Sequence, residues 1–187
     1  ADFTGNNWTQ YSKRWIVDVN GDGKADVLGI DDNGTIKAAI SSGTSFSTAN
    51  WIKQDYFKGN NWSDGQYFIS DVNGDHKVDV IGINNDAVYV SLAGDNTYGA
   101  LGNWSSSYTG NQWVDAPIIF ADVNGDQRGD IIGFGSNSIH VELSTSSRFD
   151  STNWSQSYSD FSDNSWSSNP KMMADLNGDG LMDLIGF

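Results

Sequence analysis

The chain contains no cysteine, so it holds no disulfide framework and no thiol nucleophile, and cysteine usage leaves its redox compartment unread. Basic residues are few: 10 lysines and arginines stand against 24 aspartates and glutamates, a formal net charge of −14 over 187 residues. Nucleic acid and anionic membrane surfaces are attracted by basic patches, so neither is an expected partner. No apolar run reaches the length that crosses a bilayer and none has the form of a secretory leader, so membrane insertion is not expected and Ala1 reads as a mature N-terminus. No 3.6-residue apolar periodicity occurs, which removes amphipathic helices from the expected fold. Only 2 prolines accompany 21 glycines, a balance that suits many tight turns.

What the chain does contain is a nine-residue acidic loop, D-x-N-G-D-x-x-x-D, present four times: 18–26, 71–79, 122–130 and 175–183. Oxygen-bearing side chains at loop positions 1, 3, 5 and 9, with the main-chain carbonyl of position 7, can wrap a hard cation such as Ca2+, which takes six to eight oxygens. The expected ligand sets are Asp18, Asn20, Asp22, Lys24 and Asp26; Asp71, Asn73, Asp75, Lys77 and Asp79; Asp122, Asn124, Asp126, Arg128 and Asp130; Asp175, Asn177, Asp179, Leu181 and Asp183, where Lys24, Lys77, Arg128 and Leu181 serve through their carbonyls. Glycine at position 4 permits the tight turn. Without a cation, three carboxylates would crowd into each loop at a cost in like-charge repulsion. Twelve of the 24 acidic residues lie in these loops, and four Ca2+ would bring the net charge from −14 to −6. Ca2+ sites of weak to moderate affinity fill outside cells, so a secreted protein is expected.

The loops recur at intervals of 53, 51 and 53 residues, the spacing of a propeller or similar array. Loop position 12 is Gly29, Gly82, Gly133 and Gly186, where an EF-hand needs a bidentate glutamate. Dockerin-type loops open into helices, whereas these open into Val27-Leu-Gly-Ile30, Val80-Ile-Gly-Ile83, Ile131-Ile-Gly-Phe134 and Leu184-Ile-Gly-Phe187, short apolar runs of buried-strand type. An apolar stretch before each loop (15–17, 67–69, 117–120, 172–173) reads as a first strand. An alternating third strand follows a polar turn at 35–40, 87–92 and 138–143, with one face expected to be exposed. A polar fourth strand carries Asn50-Trp51, Asn103-Trp104 and Asn153-Trp154. Four antiparallel strands per repeat make a propeller blade. The expected fold is an all-β propeller of about 3.5 such blades in a single array over 1–187: blade 1 at 4–54, blade 2 at 55–107, blade 3 at 108–160 and two inner strands of a fourth at 161–187.

A second motif, [FY]-x-[GD]-N-x-W, joins each fourth strand to the next repeat. It contributes Asn6, Asn7 and Trp8; Asn60, Asn61 and Trp62; Asn111, Gln112 and Trp113; and Asn164 and Trp166. A tryptophan face can stack on the apolar face of a pyranose while neighbouring amides read its hydroxyls or an N-acetyl group. The alternative is that these tryptophans wedge adjacent repeats together, the role expected of Trp51, Trp104 and Trp154. With antiparallel strands, the acidic loops and the third-to-fourth turns share one end of each sheet. The Asn-x-Trp loops and the second-to-third turns, with Asp32, Asn33, Asn85, Asp86, Ser136 and Asn137, share the other. Five N-x-S/T sequons, at Asn7, Asn33, Asn61, Asn103 and Asn153, arise largely from the repeat itself.

The D-x-N-G-D-x-x-x-D loop with its apolar strand resembles the FG-GAP/VCBS repeat of integrin-type propellers. With the interleaved N-x-W loops and N-W strands, the whole chain is similar to fungal lectins of the Psathyrella velutina type. That resemblance implies a seven-bladed Ca2+-binding propeller with sugar pockets between blades and a preference for N-acetylglucosamine-type glycans. The chain has about half the length seven blades require. Three and a half repeats leave open edges, so a homodimer is a natural completion, with a four-bladed monomer or half of a longer lectin as alternatives. Repeated equivalent loops favour a multivalent carbohydrate-binding protein, since weak single sites gain from avidity. An adhesion module that binds a protein partner is the other reading. No enzyme activity is expected: no acid/base carboxylate pair is evident outside the loops, His76 and His140 occupy non-equivalent places, and Glu142 and Asp115 read as surface groups.

Overall fold

The computed structural model describes residues 8–32, 34–47, 52–53, 66–84, 87–105, 117–134, 138–157 and 170–186. The described residues form strands, with one 3-10 turn at Trp8–Gln10. Each acidic loop joins the first two strands of an antiparallel sheet. The first sheet runs β1 (Lys13–Val17), β2 (Asp26–Ile30), β3 (Ile36–Ser41) and β4 (Phe46–Ser47), with the short β5 (Ile52–Lys53) also paired to β3. The second is β6 (Gln66–Ser70), β7 (Asp79–Ile83), β8 (Val88–Ser91) and β9 (Gly102–Ser105). The third is β10 (Ile118–Ala121), β11 (Asp130–Phe134), β12 (Ser138–Ser144) and β13 (Phe149–Ser157). A two-stranded sheet, β14 (Lys171–Ala174) and β15 (Asp183–Gly186), follows.

Register repeats from sheet to sheet. The last residue of the acidic loop opens the second strand, and Val17 pairs with Asp26, Ala121 with Asp130 and Ala174 with Asp183. Val27, Val80 and Ile131 then face Ala39, Ser91 and Glu142 on the third strands, which makes those three positions equivalent. The second strands are rich in β-branched residues that fit a pleated, packed surface, and β7 and β11 are buried along their whole length. In the first sheet, β4 and β5 both pair with β3, β4 at Ile40 and Ser41 and β5 at Ile36 and Lys37.

Two compact units emerge, one of Ala1–Ile69, Asp75–Asn84 and Val88–Asn103, the other of Ser70–Gly74, Asn85–Ala87 and Trp104–Phe187. The core of the first gathers Val19, Leu28, Ile30, Ile36 and Ala38 with Val80, Ala93 and Tyr98, and Ile69 and Tyr67 pack against it. The Tyr98 hydroxyl donates to the Val78 carbonyl at 3.0 Å, so this fully buried ring keeps its polar atom satisfied. The core of the second gathers Val123, Ile132, Phe134 and Val141, covered by Met173 and Leu184.

The exposed face expected of the third strand is not seen in β3. Lys37 and Ala39, on the face opposite the Ile36 and Ala38 side, are buried as well. The reason is the N-terminal turn: Trp8 and Tyr11 fold over that face and form a small cluster with Ala39, flanked by Val27 and Phe46. Glu142, expected at the surface, is also buried, because it occupies the strand position that Ala39 and Ser91 hold in the other sheets. Asp115 lies outside the described residues.

Candidate functional site

The four acidic loops share one internal hydrogen-bonding scheme. The carboxylate at position 1 turns inward and accepts main-chain N–H groups of the loop. Asp18 Oδ1 takes those of Asn20 (3.3 Å), Gly21 (2.8 Å) and Asp22 (3.2 Å), and its Oδ2 takes that of Gly23 (2.7 Å). Asp122 repeats this with Asn124, Gly125, Asp126 and Gln127. Asp71 receives Gly74, and Asp175 receives Gly178 and Gly180; the latter two bonds hold the Asp175 carboxyl below the usual carboxylate range. The position-3 amides accept from position 5, as Asn20, Asn124 and Asn177 do. The position-5 carboxylates accept from position 7, as Asp22, Asp75, Asp126 and Asp179 do.

This winding demands left-handed backbone at two places in every loop. Position 4 is the expected one: Gly21, Gly74, Gly125 and Gly178 have φ of 76°, 80°, 82° and 78°. Position 6 is the second, and there Gly23 (80°) and Gly180 (85°) alternate with His76 (64°) and Gln127 (66°), residues that adopt this region at a cost. Glycine in two of the four copies was the sequence signal for it.

Position 9 has a structural role of its own. Asp26 is fully buried; its Oδ2 accepts the Val19 N–H at 3.1 Å and its Oδ1 the Ser41 N–H at 2.7 Å. Asp130 does the same with Val123 (3.0 Å) and Ser144 (2.9 Å), and Asp79 takes the Ala93 N–H at 2.8 Å. Asp183 accepts from Leu176 at 3.0 Å. In the three full sheets this carboxylate ties the acidic loop to the end of the third strand. Burial raises the carboxyl of Asp26, and in Asp130 pushes it up to about 6 against the lowering effect of the two N–H bonds.

The loop cations take neighbours that differ between copies. Lys24 bridges Asp22 at 2.9 Å and Arg128 bridges Asp126, whereas Lys77 reaches Asp95 at 2.9 Å in the turn after β8. Arg128 also donates to the Ser144 carbonyl at 3.1 Å. Acidic loop and third-to-fourth turn therefore share one end of the sheet, as antiparallel connectivity requires. At the other end of the first sheet, Ser12 donates to Asp32 of the second-to-third turn at 2.7 Å.

Positions 1, 3 and 5 of each loop carry two carboxylates and an amide, an all-oxygen set of the kind that suits a hard divalent ion. Each oxygen of the position-9 carboxylate in Asp26 and Asp130 holds one N–H and keeps a second lone pair. Among the described residues, no three carboxylate or imidazole groups converge on a single metal position.

Of the Asn-x-Trp residues, Asn6, Asn7, Asn60, Asn61, Trp62, Asn111, Gln112, Trp113, Asn164 and Trp166 lie outside the described residues, as do Asn33, Asn85, Asp86, Ser136 and Asn137. Trp8 is described, and it is buried at 8% exposure. Its ring centroid is 5.3 Å from that of Tyr11, the Lys37 ammonium lies 5.4 Å over it, and a Cβ added at Gly29 would come within 2.9 Å of its edge. Trp8 is thus packed among Tyr11, Gly29 and Lys37. Trp104 of the N-W series packs on Phe149 at 5.5 Å, in keeping with the wedge role expected of it.

Two buried charges escaped sequence reasoning. Lys37 is held over the rings of Trp8 and Tyr11, a cation–π arrangement. Glu142 is buried to 4% exposure beside Ser105, its Oε2 has no hydrogen-bond partner among the described residues, and burial raises its carboxyl above the ordinary value. Alternation along the third strand placed both residues on the face opposite the core, and only packing shows that this face is covered.

The fold so defined is an all-β array of antiparallel sheets, each with an acidic loop between its first two strands. No family model matches the chain, and no curated protein does. Among solved structures it is similar to a lectin of Agrocybe aegerita, studied for its specific recognition of non-reducing terminal N-acetylglucosamine, with a TM-score of 0.75 and 24% identity. That match covers 95% of this chain and 47% of the lectin, so the chain spans about half of the lectin's length. It is also similar to part of the Photorhabdus luminescens Tc holotoxin pore, with a TM-score of 0.63, 14% identity, and coverage of 95% of this chain against 8% of the toxin. Both are likenesses of fold.

Proposed function

We propose that this chain is a secreted, non-catalytic lectin, a calcium-stabilised propeller-type repeat protein that binds N-acetylglucosamine-type glycans at several equivalent places. The observation that carries the reading is the fold likeness to an N-acetylglucosamine lectin over 95% of the chain, joined to the fourfold Asn-x-Trp motif. Trp62, Trp113 and Trp166, with Asn60, Asn61, Asn111, Gln112 and Asn164, are the proposed sugar-contacting residues; Trp8 is assigned to packing, on its burial. Repetition suits a lectin, because a single monosaccharide site of about millimolar strength gives only about −4 kcal/mol, and avidity supplies the rest.

Calcium belongs to this proposal as a structural ion, up to four per chain, held by the oxygens of positions 1, 3 and 5 with the position-7 carbonyl and position 9. The ion would neutralise carboxylates crowded into one loop, of which the position-1 group already turns inward. A glycan array in calcium buffer tests the reading. Binding to glycans ending in N-acetylglucosamine is expected, and silence across all glycans would move the assignment to a protein-binding module, a second reading that the burial of Trp8 favours.

A further inference from the structure

Each acidic loop carries asparagine at position 3 and glycine at position 4: Asn20-Gly21, Asn73-Gly74, Asn124-Gly125 and Asn177-Gly178. Asparagine is thermally labile, most of all before glycine, because a residue without Cβ leaves its main-chain nitrogen open to approach the side-chain carboxamide. In the folded loops that nitrogen is engaged. The Gly21 N–H donates to Asp18 Oδ1 at 2.8 Å, and those of Gly74, Gly125 and Gly178 donate to Asp71, Asp122 and Asp175 at 2.7 Å each. The acceptor is a carboxylate in every copy, and a charged acceptor makes the bond roughly twice as strong as a neutral one. Its negative charge also opposes the charge that the nitrogen must develop when it gives up its proton. The carboxamide is held as well. Asn20, Asn124 and Asn177 accept the position-5 N–H through Oδ1 at 3.1, 3.0 and 2.8 Å, and Asn124 Nδ2 donates to Asp126 Oδ2 at 2.9 Å.

We propose that the Asn-Gly pairs of the acidic loops are latent deamidation sites, and that the position-1 aspartate keeps each one closed by holding the glycine N–H. When a loop opens by local unfolding, the glycine nitrogen adds to the asparagine Cγ and gives its proton to water. The Cγ–Nδ2 bond then breaks, ammonia leaves with a proton taken from water, and a cyclic imide remains. Water adds to either imide carbonyl and opens the ring, to aspartate in one case and isoaspartate in the other. One water is consumed and one ammonia released, with no change of oxidation state. Either product puts a third carboxylate among loop positions 1, 3 and 5, where like charges at close range repel. Isoaspartate also inserts a side-chain methylene into the main chain and shifts the register of the loop's internal bonds. Position 1 is a positioning residue here, since it acts through the glycine it holds. The inference rests on no bound ligand and is independent of the glycan reading.

Site-resolved peptide mass spectrometry of the full chain, aged at mildly alkaline pH in EDTA, tests it. Circular dichroism verifies the folded state, and a parallel sample is aged in urea. Asn20, Asn73, Asn124 and Asn177 should convert at similar rates in urea and at least about tenfold more slowly in the folded chain, the weight of one hydrogen bond to a charged group. Asp18→Ala should raise the rate at Asn20 by about tenfold to a hundredfold. Asn124 and Asn177 in the same molecule should keep their wild-type rates, a selectivity that general loss of structure would not give. Asp18→Asn, which keeps an acceptor oxygen, should bring Asn20 back toward the wild-type rate. Asp122→Ala, with Asn124 as reporter, repeats the comparison in the third loop should Asp18→Ala not fold. Loop asparagines that age as fast in the folded chain as in urea overturn the proposal, as does a wild-type rate at Asn20 in folded Asp18→Ala.

Discussion

Replacing Asp26 by alanine separates two roles that position 9 of the acidic loop can have. The Asp26 carboxylate is fully buried and accepts two main-chain N–H bonds, from Val19 and Ser41. Alanine leaves both donors buried without an acceptor, at about 1–3 kcal/mol each. Burial raises the Asp26 carboxyl, so relief of that desolvation offsets part of the loss, and a net destabilisation of about 3 kcal/mol follows. For a chain of this size that is a fall of roughly 6–12 °C in Tm. The decisive measurement is thermal unfolding in EDTA. A latch between the loop and the end of β3 needs no ion, so the loss should appear in full without calcium. An asparagine side chain in the same place retains one acceptor oxygen, and Asp26→Asn should therefore fall between wild type and Asp26→Ala. If Asp26→Ala melts with wild type in EDTA and below it only in calcium, the residue is a ligand alone and the latch is refuted.

Four further outcomes are expected. His76→Gly and Gln127→Gly, at loop positions with φ of 64° and 66°, should each raise stability by about 1 kcal/mol, because the left-handed region costs L-residues roughly that much; a fall in denaturant midpoint would contradict the strain. Gly129→Ala should lose about 1–3 kcal/mol by overpacking, since the new Cβ would meet the Ser70 side chain at 2.0 Å; an unchanged Tm would show that Ser70 moves aside freely. Glu142 binds its proton more tightly in the folded chain than in the unfolded one because of burial, so its contribution to stability falls as pH rises from the ordinary glutamate value of 4.5 through its raised value. Glu142→Gln should accordingly match wild type at the acid end of that window and exceed it above, and parallel pH profiles would rule this out. Finally, removal of calcium by EDTA should lower Tm, because ions bound only by the folded state stabilise it by mass action; an unchanged Tm would overturn structural calcium.

The sequence by itself determined the local structure, because its signals are local. The period of the acidic loops located the turns between first and second strands, the Val/Ile-Gly runs located β2, β7 and β11, and glycine at position 4 announced left-handed backbone that the structure places there. Antiparallel connectivity alone put the acidic loops and the third-to-fourth turns at one end of each sheet, where Lys77 meets Asp95 and Arg128 meets Ser144. What only the tertiary structure decided depends on groups far apart in the chain. Asp26 reads as one more loop oxygen until Ser41, fifteen residues on, donates to it. Trp8 reads equally as a stacking platform or a wedge, and its packing among Tyr11, Gly29 and Lys37 is visible only in the folded chain. Glu142 reads as the polar side of an alternating strand until the face it lies on is covered. The reason is common to all three: a periodic pattern fixes which residues share a face, but whether that face meets water or another element is settled by packing, and burial in turn sets what a carboxylate or a ring can do.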